Sequence, residues 1–178
     1  MKADPAPVPK ILVLASGSGT NLQALIDATR ERDFPGEIIA VGCNKPGAFA
    51  LERAAQANLT TFVVDHTKYG SREEFDAALL AEILRHNPDL VVLAGFMRIL
   101  TSDFVRAFRG RMLNIHPSLL PAYTGLNTHQ RVLEAGDRTH GVSIHFVTEE
   151  LDGGPVIAQA EVAVAEDDTP ESLAEKVQ

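Results

Sequence analysis

At 178 residues, with 45% hydrophobic and 22% charged side chains, the chain can bury one substantial core and has the composition of a soluble globular protein. Its net charge of −8 argues against a nucleic-acid-binding or anionic-membrane surface. No apolar run approaches the roughly 18 residues needed to span a bilayer, and a lone Cys43 excludes an internal disulfide and fits a reducing, cytoplasmic compartment.

Residues 1–9 carry three prolines and read as a disordered tail ahead of a single domain over 10–178. Lys10 to Ala15 (KILVLA) is a continuous aliphatic run, the pattern of a strand covered on both faces in a parallel sheet. It breaks into Ser16-Gly17-Ser18-Gly19-Thr20-Asn21, ahead of the helical pattern Leu22, Leu25, Ile26 and Ala28. Strand, glycine turn and helix start form an arrangement whose free N–H groups hold an anion. No Gly-Lys-Ser/Thr follows, and Leu22 stands where a dinucleotide fingerprint has its third glycine. A monophosphate cradled by Gly19, Thr20 and Asn21 is therefore expected; the alternative is a tight turn with a Thr or Asn helix cap.

Glu37 to Cys43 and Thr60 to Val64 read as further strands, with a helix over Ala48 to Ala57 between them. Cys43 reads as a small buried apolar residue at its strand's end. Ser71-Arg72-Glu73-Glu74 is a capping box opening a helix on Phe75, Leu79, Leu80, Ile83 and Leu84. Leu90 to Ala94 (LVVLA) reads as a central strand, and Gly95 to Leu100 after it mixes loop position with large apolar residues that could wall a flat ligand or fold onto the core. Thr101 or Ser102 caps a short helix from Asp103 to Phe108.

In Met112-Leu113-Asn114-Ile115-His116-Pro117, strand alternation puts Asn114 and His116 on one face. Pro117 ends the strand at the histidine, and open α/β sheets place their chemistry at strand carboxyl ends. A hydrogen-bond donor beside a proton carrier suits acyl-type transfer; the plain alternative is a polar strand end whose histidine caps a loop. A helix follows around His129 to Ala135. Gly141 to Val147 (GVSIHFV) alternates, setting Ser143 and His145 on a polar face turned toward the region of His116. The loop Thr148 to Pro155 leads into a return strand from Val156 to Val164, an antiparallel hairpin at one edge, and Asp167-Asp168-Thr169-Pro170 opens a last helix. The fold class expected is α/β: a Rossmann-like, mostly parallel sheet flanked by helices, with that antiparallel C-terminal hairpin. The histidine spacings imply no metal, and His66, His86 and His140 read as surface or capping residues.

SGSGTNLQ (Ser16–Gln23), SREEFD (Ser71–Asp76), LAGFMRIL (Leu93–Leu100), LNIHPSLLP (Leu113–Pro121) and HGVSIHFVTEELDGGPVI (His140–Ile157) occur in this order across nearly the whole chain. Together they resemble the phosphoribosylglycinamide formyltransferase family, the folate-dependent transformylases of purine synthesis. The resemblance implies transfer of a formyl group from 10-formyltetrahydrofolate, as co-substrate, to the amine of 5-phosphoribosyl-glycinamide. It implies Asn114, His116 and Asp152 as the catalytic trio and Gly19, Thr20 and Asn21 as the phosphoribosyl-glycinamide segment. It further implies folate contacts from Arg72, Met97, Arg98, Ile99, Leu100, Asn114, Thr148, Glu149, Glu150, Leu151 and Asp152. The expected partners are these two small molecules, with no nucleic acid or membrane, for a monomer or homodimer.

Two departures stand out. Family members often read Pro-Gly-Leu-His where this chain has Thr124-Gly125-Leu126-Asn127, although His129 is present. The family domain also usually continues past the position of Gln178, so its C-terminal end, which completes the glycinamide site, is expected to be missing. Among relatives of the same fold, methionyl-tRNA formyltransferase normally shows an Arg-Gly pair where Thr124-Gly125 stands. Formyltetrahydrofolate deformylase usually reads His-His-Ser and Leu-Asp-Glu-Gly where this chain has His116-Pro117-Ser118 and Leu151-Asp152-Gly153-Gly154. A non-catalytic folate- or phosphate-binding module would explain the cradle and the apolar loop but not the trio.

Overall fold

The structure, a computed structural model, describes residues 7–178. Positions 1–6 of the expected tail lie outside the described residues, whereas the Pro9 carbonyl already accepts the Glu37 N–H at 2.9 Å. The chain divides into two compact units, one up to Arg98 and one from Ile99 to Gln178.

The first unit is built on four parallel strands, β1 (Lys10–Ala15), β2 (Glu37–Cys43), β3 (Thr61–Val63) and β4 (Leu90–Leu93), in the order β3-β2-β1-β4. Leu12, Val13, Leu14 and Ala15 are fully buried, as an aliphatic run between two neighbours must be. Burying each such leucine contributes about 1.5–3 kcal/mol. Helices α1 (Thr20–Ala28), α2 (Phe49–Gln56) and α3 (Arg72–His86) bury Leu22 and Ile26, Ala50 and Ala54, and Phe75, Leu79 and Ile83 respectively. The Ser71 hydroxyl caps α3 by accepting the Glu74 N–H, but the Glu74 carboxylate reaches back to the Gly70 N–H rather than to that of Ser71. Cys43 is fully buried, and burial pushes its thiol up to about 11, leaving it inert as expected.

The second unit holds α4 (Ser102–Ala107), β5 (Met112–His116), α5 (Thr128–Ala135), β6 (Thr139–Phe146), β7 (Val156–Ala163) and α6 (Pro170–Val177). Its strands run antiparallel in the order β5-β6-β7. The antiparallel part is thus one strand pair larger than the expected hairpin, because β5 also pairs antiparallel with β6. Gly141 is obligatory here: a Cβ would sit 2.0 Å from the Ala160 carbonyl oxygen on β7. Thr101 caps α4, and Thr169 with Ser172 forms a reciprocal box on α6, whose first residue is Pro170. The α/β class, with parallel strands first and antiparallel strands at the C-terminal side, matches the sequence pattern. Among the described residues no helix is long and apolar enough to cross a membrane.

Candidate active site

The register of β5 against β6 sets Asn114 opposite His145 and His116 opposite Ser143. Directly opposed residues of an antiparallel pair point to the same face, so two histidines, an amide and a hydroxyl share one surface. That face is buried: His116 is 5% exposed, His145 2% and Ser143 0%. A polar face can be buried only if its groups are hydrogen-bonded, and here they are.

At His116, Nε2 donates to the Tyr123 carbonyl at 2.9 Å. A carbonyl can only accept, so this nitrogen carries a proton. Nδ1 lies 3.5 Å from Oδ2 of Asp152, and the same Oδ2 accepts the Gly125 N–H at 2.8 Å. The turn that leads into Tyr123 is held by a network around Ser143. The Ser143 hydroxyl donates to the Ser118 carbonyl at 2.6 Å and accepts the Leu120 N–H, Gln159 binds both the Leu120 carbonyl and Ser143, and the Ser118 hydroxyl donates to the Ala122 carbonyl. Tyr123 itself takes a left-handed backbone conformation, φ 55.

At His145, Nδ1 donates to the Phe146 carbonyl at 3.0 Å, while Nε2 lies 3.2 Å from the Asn114 amide nitrogen and 3.8 Å from Oδ1 of Asp152. Burial holds this imidazole below its ordinary range; the Phe146 carbonyl and Asp152 push the other way, and His116 adds to the lowering.

Asp152 reaches both histidines from the β6–β7 loop, with its side chain 7% exposed and its own φ at 52. Aspartate tolerates the left-handed region better than most residues. The glycines behind it are required by space: a Cβ on Gly153 would meet the Glu150 side chain at 2.5 Å, and one on Gly154 the Phe146 oxygen at 1.8 Å. Earlier in the loop, Arg106 of α4 grips the Glu149 carboxylate with two N–H groups at 3.1 and 3.0 Å. This pairing holds the Glu149 carboxyl below its usual range, the Ser102 hydroxyl adding to the effect. A cleft of about 670 Å³ lies between α4 and this loop, lined among others by Val105, Arg109, Val147, Thr148 and Glu150.

The remaining candidates are distributed. In the first unit Gly19, at φ 71, is the N-cap residue of α1, and no side chain caps that helix. The alternative of a Thr20 or Asn21 cap is therefore excluded. A Cβ on Gly19 would lie 2.8 Å from Ala50, and Arg53 of α2 donates to the Ser18 carbonyl, so the turn is braced from α2. Arg72 is half-exposed at the start of α3, 3.8 Å from Glu73. Met97 is 66% exposed, while Arg98 lies over the Phe75 ring. In the second unit Ile99 and Leu151 are exposed and Leu100 is half-buried.

His140 is a correction to the surface reading. It is 1% exposed and shares a 3.0 Å hydrogen bond with His129, which α5 turns inward. His145 and Ser143 were readable only as a polar face; their partners on β5 depend on a strand register that no local motif encodes.

A model of the formyl transferase family matches residues 9–178. Phosphoribosylglycinamide formyltransferase of Escherichia coli (strain K12) is 54% identical over 168 residues, covering 94% of this chain and 79% of that protein. Trifunctional purine biosynthetic protein adenosine-3 of Chironomus tentans is 49% identical over 173 residues, and the chain spans only 13% of its length. Among solved structures, phosphoribosylglycinamide formyltransferase from Coxiella burnetii in complex with CHES superimposes with a TM-score of 0.89 at 50% identity, covering 96% of this chain and 80% of that one.

Proposed function

The chain belongs to the formyl transferase family, and from that premise we propose that it transfers the formyl group of 10-formyltetrahydrofolate to the amine of 5-phosphoribosyl-glycinamide in purine synthesis. The observation that carries this reading is the meeting of His116 and Asp152 in one buried cluster, with Asn114 on the same face of β5. A 54% identical relative named for this activity supports it over hydrolysis or mere binding.

When the substrate amine attacks the formyl carbon, negative charge grows on the formyl oxygen. An amide N–H of Asn114 and, in the protonated ring, the Nδ1–H of His116 are the donors for that charge. Asp152 lies against the imidazolium and stabilises it, and its carboxylate is the nearest base for the proton that the amine must lose on its way to the departing folate nitrogen. The α1 turn at Gly19, Thr20 and Asn21 offers uncapped helix N–H groups to the phosphate. For the folate we assign Arg72 and the exposed Met97, Ile99 and Leu151, together with Arg98, Leu100 and the loop from Thr148 to Asp152. Residues 10–178 are taken as one formyltransferase domain working in the cytoplasm.

The test supplies 10-formyltetrahydrofolate with and without glycinamide ribonucleotide and follows folate absorbance. Release only with the ribonucleotide supports the transferase. Release without it points to a deformylase, and no release to a binding module or to an incomplete glycinamide site.

A further inference from the structure

The amide of Asn114 helps an oxyanion only if it presents an N–H. A primary amide is nearly symmetric in shape, and its other orientation would turn a carbonyl oxygen toward the growing negative charge. Something must therefore select one orientation, and the neighbour placed to do so is His145.

We infer that His145 is a positioning residue that holds the Asn114 amide with its nitrogen toward the catalytic face, by accepting a hydrogen bond from that nitrogen. The proposal rests on the formyl-transfer reading above. His145 stands directly opposite Asn114 in the β5–β6 register and is 2% exposed, so water does not compete for its ring nitrogens. Its Nδ1 faces the Phe146 carbonyl at 3.0 Å, an acceptor only, which places the proton of the neutral ring on Nδ1. Nε2 is then a lone pair, 3.2 Å from Asn114 Nδ2. One amide N–H is spent on that lone pair, and the second remains for the substrate.

The charged and titratable groups facing this ring are Asp152, with Oδ1 at 3.8 Å from Nε2, and His116. Neither takes the place of Asn114 as the donor to Nε2: the carboxylate only accepts, and His116 is engaged by Tyr123 and Asp152. His145 touches no reacting atom in this scheme, and its effect passes entirely through the amide.

The experiment compares His145→Leu, His145→Gln, Asn114→Ala and the double variant His145→Leu/Asn114→Ala in steady-state formyl transfer. Loss of an oriented oxyanion donor costs about 10²-fold in kcat, so His145→Leu is expected to lose about that, with both KM values within roughly threefold. Glutamine can place Oε1 where Nε2 stood, so His145→Gln recovers to within about tenfold of wild type. In the Asn114→Ala background, His145→Leu costs less than about threefold more, because the two residues act as one unit. Multiplicative losses in the double variant, or a loss confined to KM, would overturn the proposal. Nitrogen-15 NMR of the histidine rings decides the same point without turnover. The expected result is an Nδ1–H tautomer whose Nε2 resonance moves in Asn114→Ala; an Nε2–H tautomer, or an unmoved resonance, refutes it. If wild type transfers no formyl group, the functional reading has failed while the NMR result still judges the positioning.

Discussion

Oδ2 of Asp152 lies 3.5 Å from Nδ1 of His116 and simultaneously accepts the Gly125 N–H at 2.8 Å. The carboxylate is anchored by a backbone donor on one side and offered to the imidazole on the other. In Asp152→Asn the amide oxygen would keep the Gly125 bond, so the loop stays in place while the charge is lost. Both Asp152→Asn and His116→Ala are expected to cut kcat by about 10²–10⁴-fold with native circular dichroism. Near-normal turnover in the folate-absorbance assay would remove these residues from the mechanism.

Gly154→Ala tests the loop from behind. The new methyl would sit 1.8 Å from the Phe146 oxygen, too close for any side-chain adjustment to relieve, so backbone has to move. The expected destabilisation is about 1–3 kcal/mol, as for other overpacking changes, with kcat/KM falling further than stability does because Asp152 rides on the displaced segment. Urea denaturation and kinetics on the same sample separate the two effects. Unaltered kinetics would mean that the hairpin loop does not set the position of Asp152.

The pair His129–His140 makes stability depend on pH. Burial, with His129 and His116 adding to it, pushes His140 down to about 4 from 6.5, and burial lowers His129 as well. Between those values the unfolded chain takes up a proton that the native ring refuses, so stability present above pH 6.5 is lost as pH falls. For His140 the loss from pH 7 to pH 5 is about 2 kcal/mol at 1.36 kcal/mol per unit. Urea midpoints measured across that range should show the slope in wild type and a flatter line in His140→Phe. Parallel lines would show that another group governs the acid limb.

Arg106→Ala addresses the grip of α4 on Glu149. Both side chains are half-exposed, and exposed ion pairs contribute little to global stability, so the melting temperature should stay where it is. The loop from Thr148 to Asp152 loses its tether, and KM for the formyl folate is expected to rise severalfold at low ionic strength. The difference from wild type should shrink in about 1 M salt, where the screening length is near 3 Å. An unchanged KM at low salt would show that Glu149 needs no tether.

The strands were legible where burial imposes a pattern on both faces: KILVLA and LVVLA read as buried parallel strands and are β1 and β4. The pairing of Asn114 with His116 followed from alternation alone, because Met112–His116 is extended to its last residue. What stayed hidden depends on contacts distant in sequence. Gly19, rather than Thr20 or Asn21, is the N-cap residue of α1, since Ala50 of α2 leaves no room for a side chain there. The reach of Glu74 to Gly70 instead of Ser71, and the burial of His140 against α5, were likewise invisible to local rules. The roles proposed for Asn114, His116 and Asp152 came from resemblance; the structure adds the distance between His116 and Asp152 and the partners around each residue.

The Tyr123 carbonyl has one more effect on His116. A ring that relays protons takes one in at one nitrogen and gives another out at the other, so one side must meet a group that gives a proton and the other a base able to keep one; a backbone carbonyl is neither. Tyr123 oxygen has no proton to return, and it binds Nε2–H at 2.9 Å. His116 is thereby made single-ended: whatever proton it gains through Nδ1 it must surrender through Nδ1, on the side of Asp152. Its traffic is confined to one gate, and no wire runs through the imidazole toward the loop behind it.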